Sequence, residues 1–310
     1  MSQHSAIRIV FFGTPEFAIP SLRALAQDER FSIIAVVTRP DEPAGRGLAS
    51  APPVLKREAE RLGLPVYQPE SLSDKTTFDH LHAFNADMFV VVAYGRILPS
   101  PILSLPSRGV INVHPSLLPL YRGPSPIQTA ILNGDAASGV SVILLEQGSV
   151  DAGPILAQSQ CAVPSHATYA SFSEDLSRTA AGLLPDTIAG YVSGAITPQP
   201  QRHEDATITK FITRTDGELD AHAPARNLER RVRAFAPWPG TYTTFRGKRL
   251  KVLAAQVADE SFSDPPGTIV LVNKKPALVC SAGALLLDVV QLEGKSPITG
   301  EAFVLGYLKS

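Results

Sequence analysis

The sequence predicts an α/β fold with a parallel-rich sheet, followed by a smaller β-barrel domain. Short continuous apolar runs alternate with helix-like segments through the first two thirds of the chain, and five short strand-like segments separated by turns fill the last third. The first pattern is typical of a parallel sheet covered on both faces, and the second of a small barrel. A polar segment with two prolines lies between them. We therefore assign 1–193 to a first domain, 194–207 to a linker and 208–310 to a second domain.

Apolar runs predict the strands of the first domain, at Ile7–Phe12, Ile33–Val37, Met88–Ala93, Val110–Val113, Val140–Leu145 and Ile155–Val163. Helices are predicted from Pro15 with Thr14 as N-cap, at Val54–Leu62, and at Thr168–Val192, where Pro185 should kink or interrupt the helix. In the second domain a basic helix is predicted at Ala225–Ala234. Its strands are predicted at Gly240–Phe245, Leu250–Ala255, Gly267–Val272, Ala277–Cys280 and Leu285–Leu292.

Charge is divided unevenly along the 310 residues. Residues 1–205 hold 14 Lys and Arg against 19 Asp and Glu, whereas residues 206–310 hold 14 against 10. A basic C-terminal third favours an anionic partner, although ordinary surface variation explains the same numbers equally well. No apolar run reaches the roughly 18 residues of a membrane span, and no targeting segment is recognisable, so we expect a cytoplasmic protein. Two distant cysteines make a disulfide framework or a cysteine-based zinc site improbable.

The first strand ends at Gly13, where a dinucleotide-binding fingerprint would begin. Positions 15 and 18 are Pro15 and Ala18 rather than the glycines of G-x-G-x-x-G, and no G-x-x-x-x-G-K-[ST] loop is present. The sequence therefore contains neither of the motifs that would best indicate dinucleotide binding or ATP hydrolysis.

The segment INVHPSLLPLYRG carries the strongest chemical signal. Asn112 and His114 lie two residues apart on a strand, so they point to one face, at the carboxyl end where open parallel sheets bind ligands. Asp151 follows a later strand in a glycine-flanked loop, and a carboxylate there could orient an imidazole. The alternatives are that Asn112 caps a turn, that His114 is an ordinary core histidine and that Asp151 only forms a turn.

Seven stretches resemble methionyl-tRNA formyltransferases over essentially the full chain: FFGTPEFA, TRPDEPAGRG, VVVAYGRILP, INVHPSLLPLYRGPSPIQ, VDAGPIL, RAFAPWPG and EGKSPITGEAFVLGY. The resemblance implies a Rossmann-like formyltransferase domain, a linker and an OB-like C-terminal domain that binds tRNA. It also implies transfer of a formyl group from 10-formyltetrahydrofolate to initiator methionyl-tRNA, which gives N-formylmethionyl-tRNA for translation initiation. A monomer without a metal ion is expected.

The resemblance also implies roles for individual residues. The catalytic residues are Asn112, His114 and Asp151. The folate pocket is formed by Arg96, Ile97, Leu98, Ser116, Leu117, Leu118 and Pro119. The tRNA contacts are Arg46, Lys210, Arg214 and Arg249. Core packing is the alternative for the apolar members of the pocket. A solvated charged face is the alternative for Lys210, Arg214 and Arg249, and a mobile spacer is the alternative for the loop that carries Arg46.

The sequence differs from the family pattern at three points. Leu48 and Ala49 stand where lysine is common, and Pro115 stands where the tRNA branch often has glycine. The segment Glu146–Asp151 is one residue longer than usual, immediately before the aspartate that matches the family's catalytic one.

Two other enzymes and one binding protein compete with this interpretation. A formyltransferase acting on a sugar-nucleotide amine shares the two-domain plan, but the basic C-terminal third and the PAGRG loop argue against it. A glycinamide-ribonucleotide formyltransferase would not need the last hundred residues. A non-catalytic RNA-binding protein would not need Asn112, His114 and Asp151.

Overall fold

The computed structural model describes residues 6–44, 49–148 and 150–308, which form two compact units. The first consists of the described residues up to Gly123 with Ser138–Ala162 and Ser173–Ile208. The second consists of Pro124–Ala137, Val163–Phe172 and the described residues from Thr209 onward. The domain boundaries at 193/194 and 207/208 stay predictions, and the division by contacts adds that both units draw on several stretches of chain.

The first two thirds of the chain alternate strands and helices as expected. The strands are β1 (Ile7–Gly13), β2 (Phe31–Val37), β3 (Glu42–Ala44), β4 (Ala49–Ala51), β5 (Val66–Tyr67), β6 (Met88–Val92), β7 (Val110–His114), β8 (Ala137–Leu144) and β9 (Ile155–Ala162). The helices are α1 (Ile19–Ala26), α2 (Val54–Arg61), α3 (Lys75–Ala83), α4 (Ser100–Leu103), α5 (Pro126–Asn133) and α6 (Tyr169–Ser193).

Seven of these strands form one sheet in the order β5-β2-β1-β6-β7-β8-β9. The pairs β2–β5, β1–β2, β1–β6 and β6–β7 are parallel, whereas β7 and β8 are antiparallel. The predicted parallel-rich α/β class is therefore confirmed. Strand β6 is buried along its whole length, because its apolar residues face other protein on both sides of the sheet.

The carboxyl ends of β1, β6 and β7 lie at one edge of this sheet. Gly13 pairs with Val92, and Val92 pairs with Val113, so the loops that follow these three strands leave the sheet side by side. A Cβ on Gly13 would lie 2.9 Å from the carbonyl oxygen of Val92. Only glycine fits this close approach, which explains why β1 ends in glycine without any nucleotide-binding motif.

Two local predictions differ from the structure. Thr14 does not cap a helix: its hydroxyl donates to the carbonyl of Tyr94 at 3.0 Å, and α1 begins at Ile19 after a 3₁₀ turn. Helix α6 also runs as one helix from Tyr169 to Ser193, so Pro185 does not interrupt it, whereas a kink at this residue stays a prediction. Tertiary packing keeps this helix whole, since Leu184 and Ile188 on either side of the proline are fully buried.

The second unit is built on an antiparallel sheet. Its elements are α7 (Ala225–Phe235), β10 (Thr241–Phe245), β11 (Lys248–Ala258), β12 (Ile269–Val272), β13 (Lys275–Val279), β14 (Ala284–Leu292), β15 (Ile298–Thr299) and α8 (Gly300–Phe303). The strand order is β10-β11-β14-β13-β12, with β15 paired to β14. The basic helix α7 packs its apolar face on β11 and β14 and also contacts α5. The predicted β-rich second fold is confirmed.

Candidate active site

Strand β7 brings an amide and an imidazole to the carboxyl edge of the sheet. Asn112 and His114 alternate with the core residues Ile111 and Val113, so their side chains share one face of the sheet. His114 is the last residue of β7 and is 4% exposed. The placement expected from the two-residue spacing is the one observed.

The two ring nitrogens of His114 have different surroundings. Nε2 lies 2.9 Å from the carbonyl oxygen of Tyr121, and Nδ1 lies 3.5 Å from Oδ2 of Asp151. Because a carbonyl oxygen only accepts hydrogen bonds, Nε2 carries a hydrogen and donates it to Tyr121. Nδ1 is the other ring nitrogen, and its contact with Asp151 is longer than a hydrogen bond. A ligand that approaches Nδ1 more closely can therefore replace this contact.

Asp151 joins the other two residues despite the longer segment before it. Its Oδ2 accepts from the backbone N–H of Gly123 at 2.9 Å, and its Oδ1 lies 3.4 Å from Nδ2 of Asn112. The backbone of Asp151 has φ of +52°, a left-handed conformation that Asp and Asn adopt more readily than other side chains. The structure therefore brings Asn112, His114 and Asp151 together.

Two buried polar residues that the sequence interpretation did not assign complete this arrangement. Gln201 donates from Nε2 to the carbonyls of Asp151 at 2.9 Å and Gly153 at 2.7 Å. Its Oε1 accepts from Nε and Nη2 of Arg122, at 3.1 and 2.7 Å. Arg122 belongs to SLLPLYRG, part of one of the stretches on which the family resemblance rests, so the sequence could have marked it as a site residue. Gln201 lies in the segment 194–207, which is predicted to be a linker. A glutamine in a polar linker has no sequence feature that would mark it as a site residue.

The loop after His114 is held by polar contacts rather than by packing alone. Ser116 is fully buried and donates to the carbonyl of Leu120 at 2.6 Å. The backbone N–H of Leu118 donates to Oγ of Ser141 at 3.0 Å, and the peptide bond from Leu118 to Pro119 is cis. Leu117 is half-buried and Leu118 is buried. The loop is thereby fixed beside the carboxyl end of β7.

The loop after β6 lies next to it and presents one large exposed apolar side chain. Ile97 is 81% exposed, whereas Leu98 is buried in the core. Arg96 donates from Nη1 to the carbonyls of Pro69 and Glu70, at 3.1 and 2.9 Å. Core packing thus accounts for Leu98 but not for Ile97, whose exposed surface is available to a ligand.

The predicted tRNA contacts lie apart from this cluster in the chain. Arg46 is outside the described residues. Lys210 and Arg214 are exposed, and so is Arg249, whose guanidinium lies 4.0 Å from the centre of the Tyr242 ring. This distance is that of a cation–π contact, which holds the arginine over β10.

Residues 6–44, 49–148 and 150–308 contain no group of three His, Cys, Asp or Glu side chains arranged to hold a metal ion. Within the same residues, every helix is too short or too polar to cross a membrane.

Family models match both units. A model described as "Formyl transferase" matches residues 7–188, and one described as "Formyl transferase, C-terminal domain" matches residues 211–308. A methionyl-tRNA formyltransferase from Roseiflexus sp. (strain RS-1) is 47% identical, over 94% of this chain and 90% of its own length. Another from Chloroflexus aurantiacus (strain ATCC 29366 / DSM 635 / J-10-fl) is 42% identical, over 97% of both chains.

Solved structures share the fold at low sequence identity. An N-formyltransferase from Helicobacter canadensis, in complex with folinic acid and dTDP-3-aminofucose, has a TM-score of 0.66 at 16% identity, covering 91% of this chain and 98% of its own. HypX from Aquifex aeolicus, in complex with tetrahydrofolic acid, has a TM-score of 0.63 at 17% identity, covering 97% of this chain and 47% of its own. With both family models and close full-length relatives in agreement, the chain belongs to the methionyl-tRNA formyltransferase family, a family of formyl-group transferases.

Proposed function

We propose that this protein transfers the formyl group of 10-formyltetrahydrofolate to the free amino group of initiator methionyl-tRNA through Asn112, His114 and Asp151. The observation that carries this proposal is the convergence of the three side chains at the carboxyl end of β7. An amide donor, an imidazole and a carboxylate supply the groups that acyl transfer to an amine requires.

The amine nitrogen attacks the formyl carbon, and the carbonyl oxygen becomes an oxyanion on a tetrahedral carbon. The new carbon–nitrogen bond forms, the bond to N10 of the folate breaks, and one proton passes from the amine to N10. Charge develops mainly on the oxygen, so fixed hydrogen-bond donors aimed at it lower the barrier. Nδ2 of Asn112 is one such donor, because its contact with Asp151 at 3.4 Å is long enough to be exchanged for a shorter one.

His114 supplies the second donor when its imidazole is protonated. Its Nε2 hydrogen is already given to Tyr121, so the hydrogen that meets the oxyanion is on Nδ1. The negative charge of Asp151 lies 3.5 Å from Nδ1, beside the positively charged ring, and the hydrogen bond from Nε2 to Tyr121 holds the orientation of the ring. The same carboxylate accepts the proton of the attacking amine through a water molecule and passes it on toward N10.

Folate binding is assigned to the two loops beside the trio. Ile97 offers an exposed apolar surface for the flat pterin, and the loop Ser116–Pro119 is held rigidly enough to form its other wall. Leu98 supports this pocket from the core, and Arg96 fixes the loop through its bonds to two backbone carbonyls.

The basic residues of the second unit are assigned to the RNA backbone. Lys210, Arg214 and Arg249 are exposed cations that phosphates can approach. Arg46 is assigned to the acceptor end by family resemblance alone. We place the reaction in the cytoplasm, with the protein acting as a monomer.

A panel of acceptors tests this function. Purified protein is given 10-formyltetrahydrofolate with initiator methionyl-tRNA, a dTDP-amino sugar or glycinamide ribonucleotide, and each acceptor is analysed by mass spectrometry for an added formyl group. We expect formylation of the tRNA-linked methionine. Formylation of the sugar nucleotide or of glycinamide ribonucleotide instead would contradict the proposal.

A further inference from the structure

The two backbone groups that contact the catalytic side chains flank a single buried residue. Tyr121 accepts from His114, and Gly123 donates to Asp151. Between them lies Arg122, which is buried and directs its guanidinium to Gln201. A displacement of Arg122 would therefore move the partners of both His114 and Asp151.

Gln201 connects Arg122 to the backbone around Asp151. It is 6% exposed, and its two amide hydrogens are given to the carbonyls of Asp151 and Gly153 while its oxygen accepts twice from Arg122. The side chain thus bridges the Tyr121–Gly123 turn and the Asp151–Gly153 turn. With both of its hydrogens donated and its oxygen accepting twice, it cannot swing away without losing buried hydrogen bonds.

The Asp151–Gly153 turn depends on this bridge because its own conformation is strained. Asp151 is in the left-handed region, which is costly for a residue other than glycine, and at Gly153 a side chain would collide with the carbonyl oxygen of Leu144. Strained conformations persist when surrounding bonds over-determine them. The two hydrogen bonds from Gln201 hold the carbonyl groups at the two ends of the turn in place.

We propose that Gln201 and Arg122 are positioning residues that set the distance between the Asp151 carboxylate and His114. Neither needs to touch the substrate. This inference rests on the proposed function, since it matters for catalysis only if Asp151 and His114 act in formyl transfer. Displacement of a catalytic group by about 1 Å is enough to lower a rate by as much as ~100-fold.

Gln201→Met removes both halves of the bridge at similar volume, and Gln201→Glu keeps an acceptor for Arg122 but loses both donors to the turn. We expect each to lower kcat by about 10- to 100-fold, because the carboxylate moves, while KM for folate and for tRNA stays unchanged. The matched control is Gln199→Met. Gln199 is exposed, its side chain bonds only to the carbonyl of Thr197 among the described residues, and its backbone pairing with Ile155 is kept.

A double-mutant cycle with Asp151→Asn separates positioning from general stability. If Gln201 acts through Asp151, Gln201→Met costs far less kcat in the Asp151→Asn protein than in the wild type. An equal loss in both backgrounds, or a normal kcat in both Gln201 variants, overturns the inference. If Gln201→Met does not fold, the Gln201→Glu protein carries the same test. Full activity of His114→Ala would instead reject the proposed function, so the two failures are distinguishable.

Discussion

At the scale of the residue, Asp151 supplies both a negative charge and a left-handed backbone conformation, and many substitutions would change the two together. Its carboxylate contacts His114 and Asn112, and its backbone has φ of +52°. Asn tolerates this backbone conformation, whereas Ala does not tolerate it equally well. A pair of variants therefore separates the charge from the conformation.

Asp151→Asn should lower kcat by about 10²- to 10⁴-fold with near-normal stability, because it removes the charge but keeps a side chain suited to the left-handed region. Asp151→Ala should lose activity as well and also destabilise the protein by roughly 1 kcal/mol. Kinetics together with urea unfolding measures both effects. Equal unfolding free energies for the two variants would mean that the backbone at Asp151 is not strained.

Ile97 is the exposed residue on which the folate assignment depends most. Ile97→Asp should weaken tetrahydrofolate binding about 10-fold or more, because an apolar contact is replaced by a charge. Isothermal titration calorimetry measures this effect. Leu271→Asp, at another exposed apolar position, should leave folate affinity unchanged. Equal affinities for wild type and Ile97→Asp would place the pterin elsewhere.

At the scale of the element, apolar runs predict six of the seven strands of the main sheet and five strands of the second unit, but not the two-residue strand β5. Helix α3 was missed because it buries only Thr77 and Leu81, too few to form an apolar stripe. Helix α5 was missed because its proline-rich start resembles a loop, although it packs on α7. The role of Gln201 could not be predicted for a different reason: its hydrogen-bond partners are 48 to 79 residues away in sequence.

Helices α1 and α2 are joined by a charged contact that predicts a pH-dependent stability. Glu58 of α2 accepts from Arg61 and from Arg23 of α1, and these hydrogen bonds lower the pKa of its carboxyl group to about 2. A carboxyl group with a lowered pKa stabilises the fold above its unfolded-state pKa of about 4.5. This contribution is lost as the pH falls through about 2.

Glu58→Gln should therefore reduce the free energy of unfolding by about 1–2 kcal/mol at pH 7, a figure lowered for the solvent exposure of both arginines. The difference from wild type should shrink as the pH is lowered from 4.5 toward 2. Urea unfolding across this range measures it. Glu174→Gln, which breaks an exposed ion pair with Arg178, is the control and should change little. A difference in unfolding free energy that does not change with pH would show that the ionised Glu58 carboxylate does not stabilise the fold.

At the scale of the whole molecule, the basic C-terminal third is tested best in the full chain. Removing it would strip α7 from the buried face of α5, which belongs to the same unit. Side-chain substitutions in the full chain avoid this problem because the chosen side chains are exposed.

Replacing Lys210, Arg214 and Arg249 together by alanine should weaken tRNA binding and reduce its salt dependence. Each lost phosphate contact lowers the log–log slope of affinity against salt by about 0.7–0.9, so the triple variant should lose about 2–3 in slope. Filter binding at several salt concentrations measures it. Lys75→Ala removes an exposed cation from the first unit and should leave the slope unchanged. An unchanged slope in the triple variant would show that these residues do not hold the RNA.

We propose that His114, held between Tyr121 and Asp151, takes part in formyl transfer to methionyl-tRNA. The most direct measurement is the single-turnover rate of that transfer in His114→Ala, with saturating 10-formyltetrahydrofolate and with folate and tRNA binding measured in parallel. We predict a rate about 10²- to 10⁴-fold below that of the wild type, with both substrates still bound. A folded His114→Ala protein that transfers the formyl group at a near-normal rate would exclude His114 from the reaction.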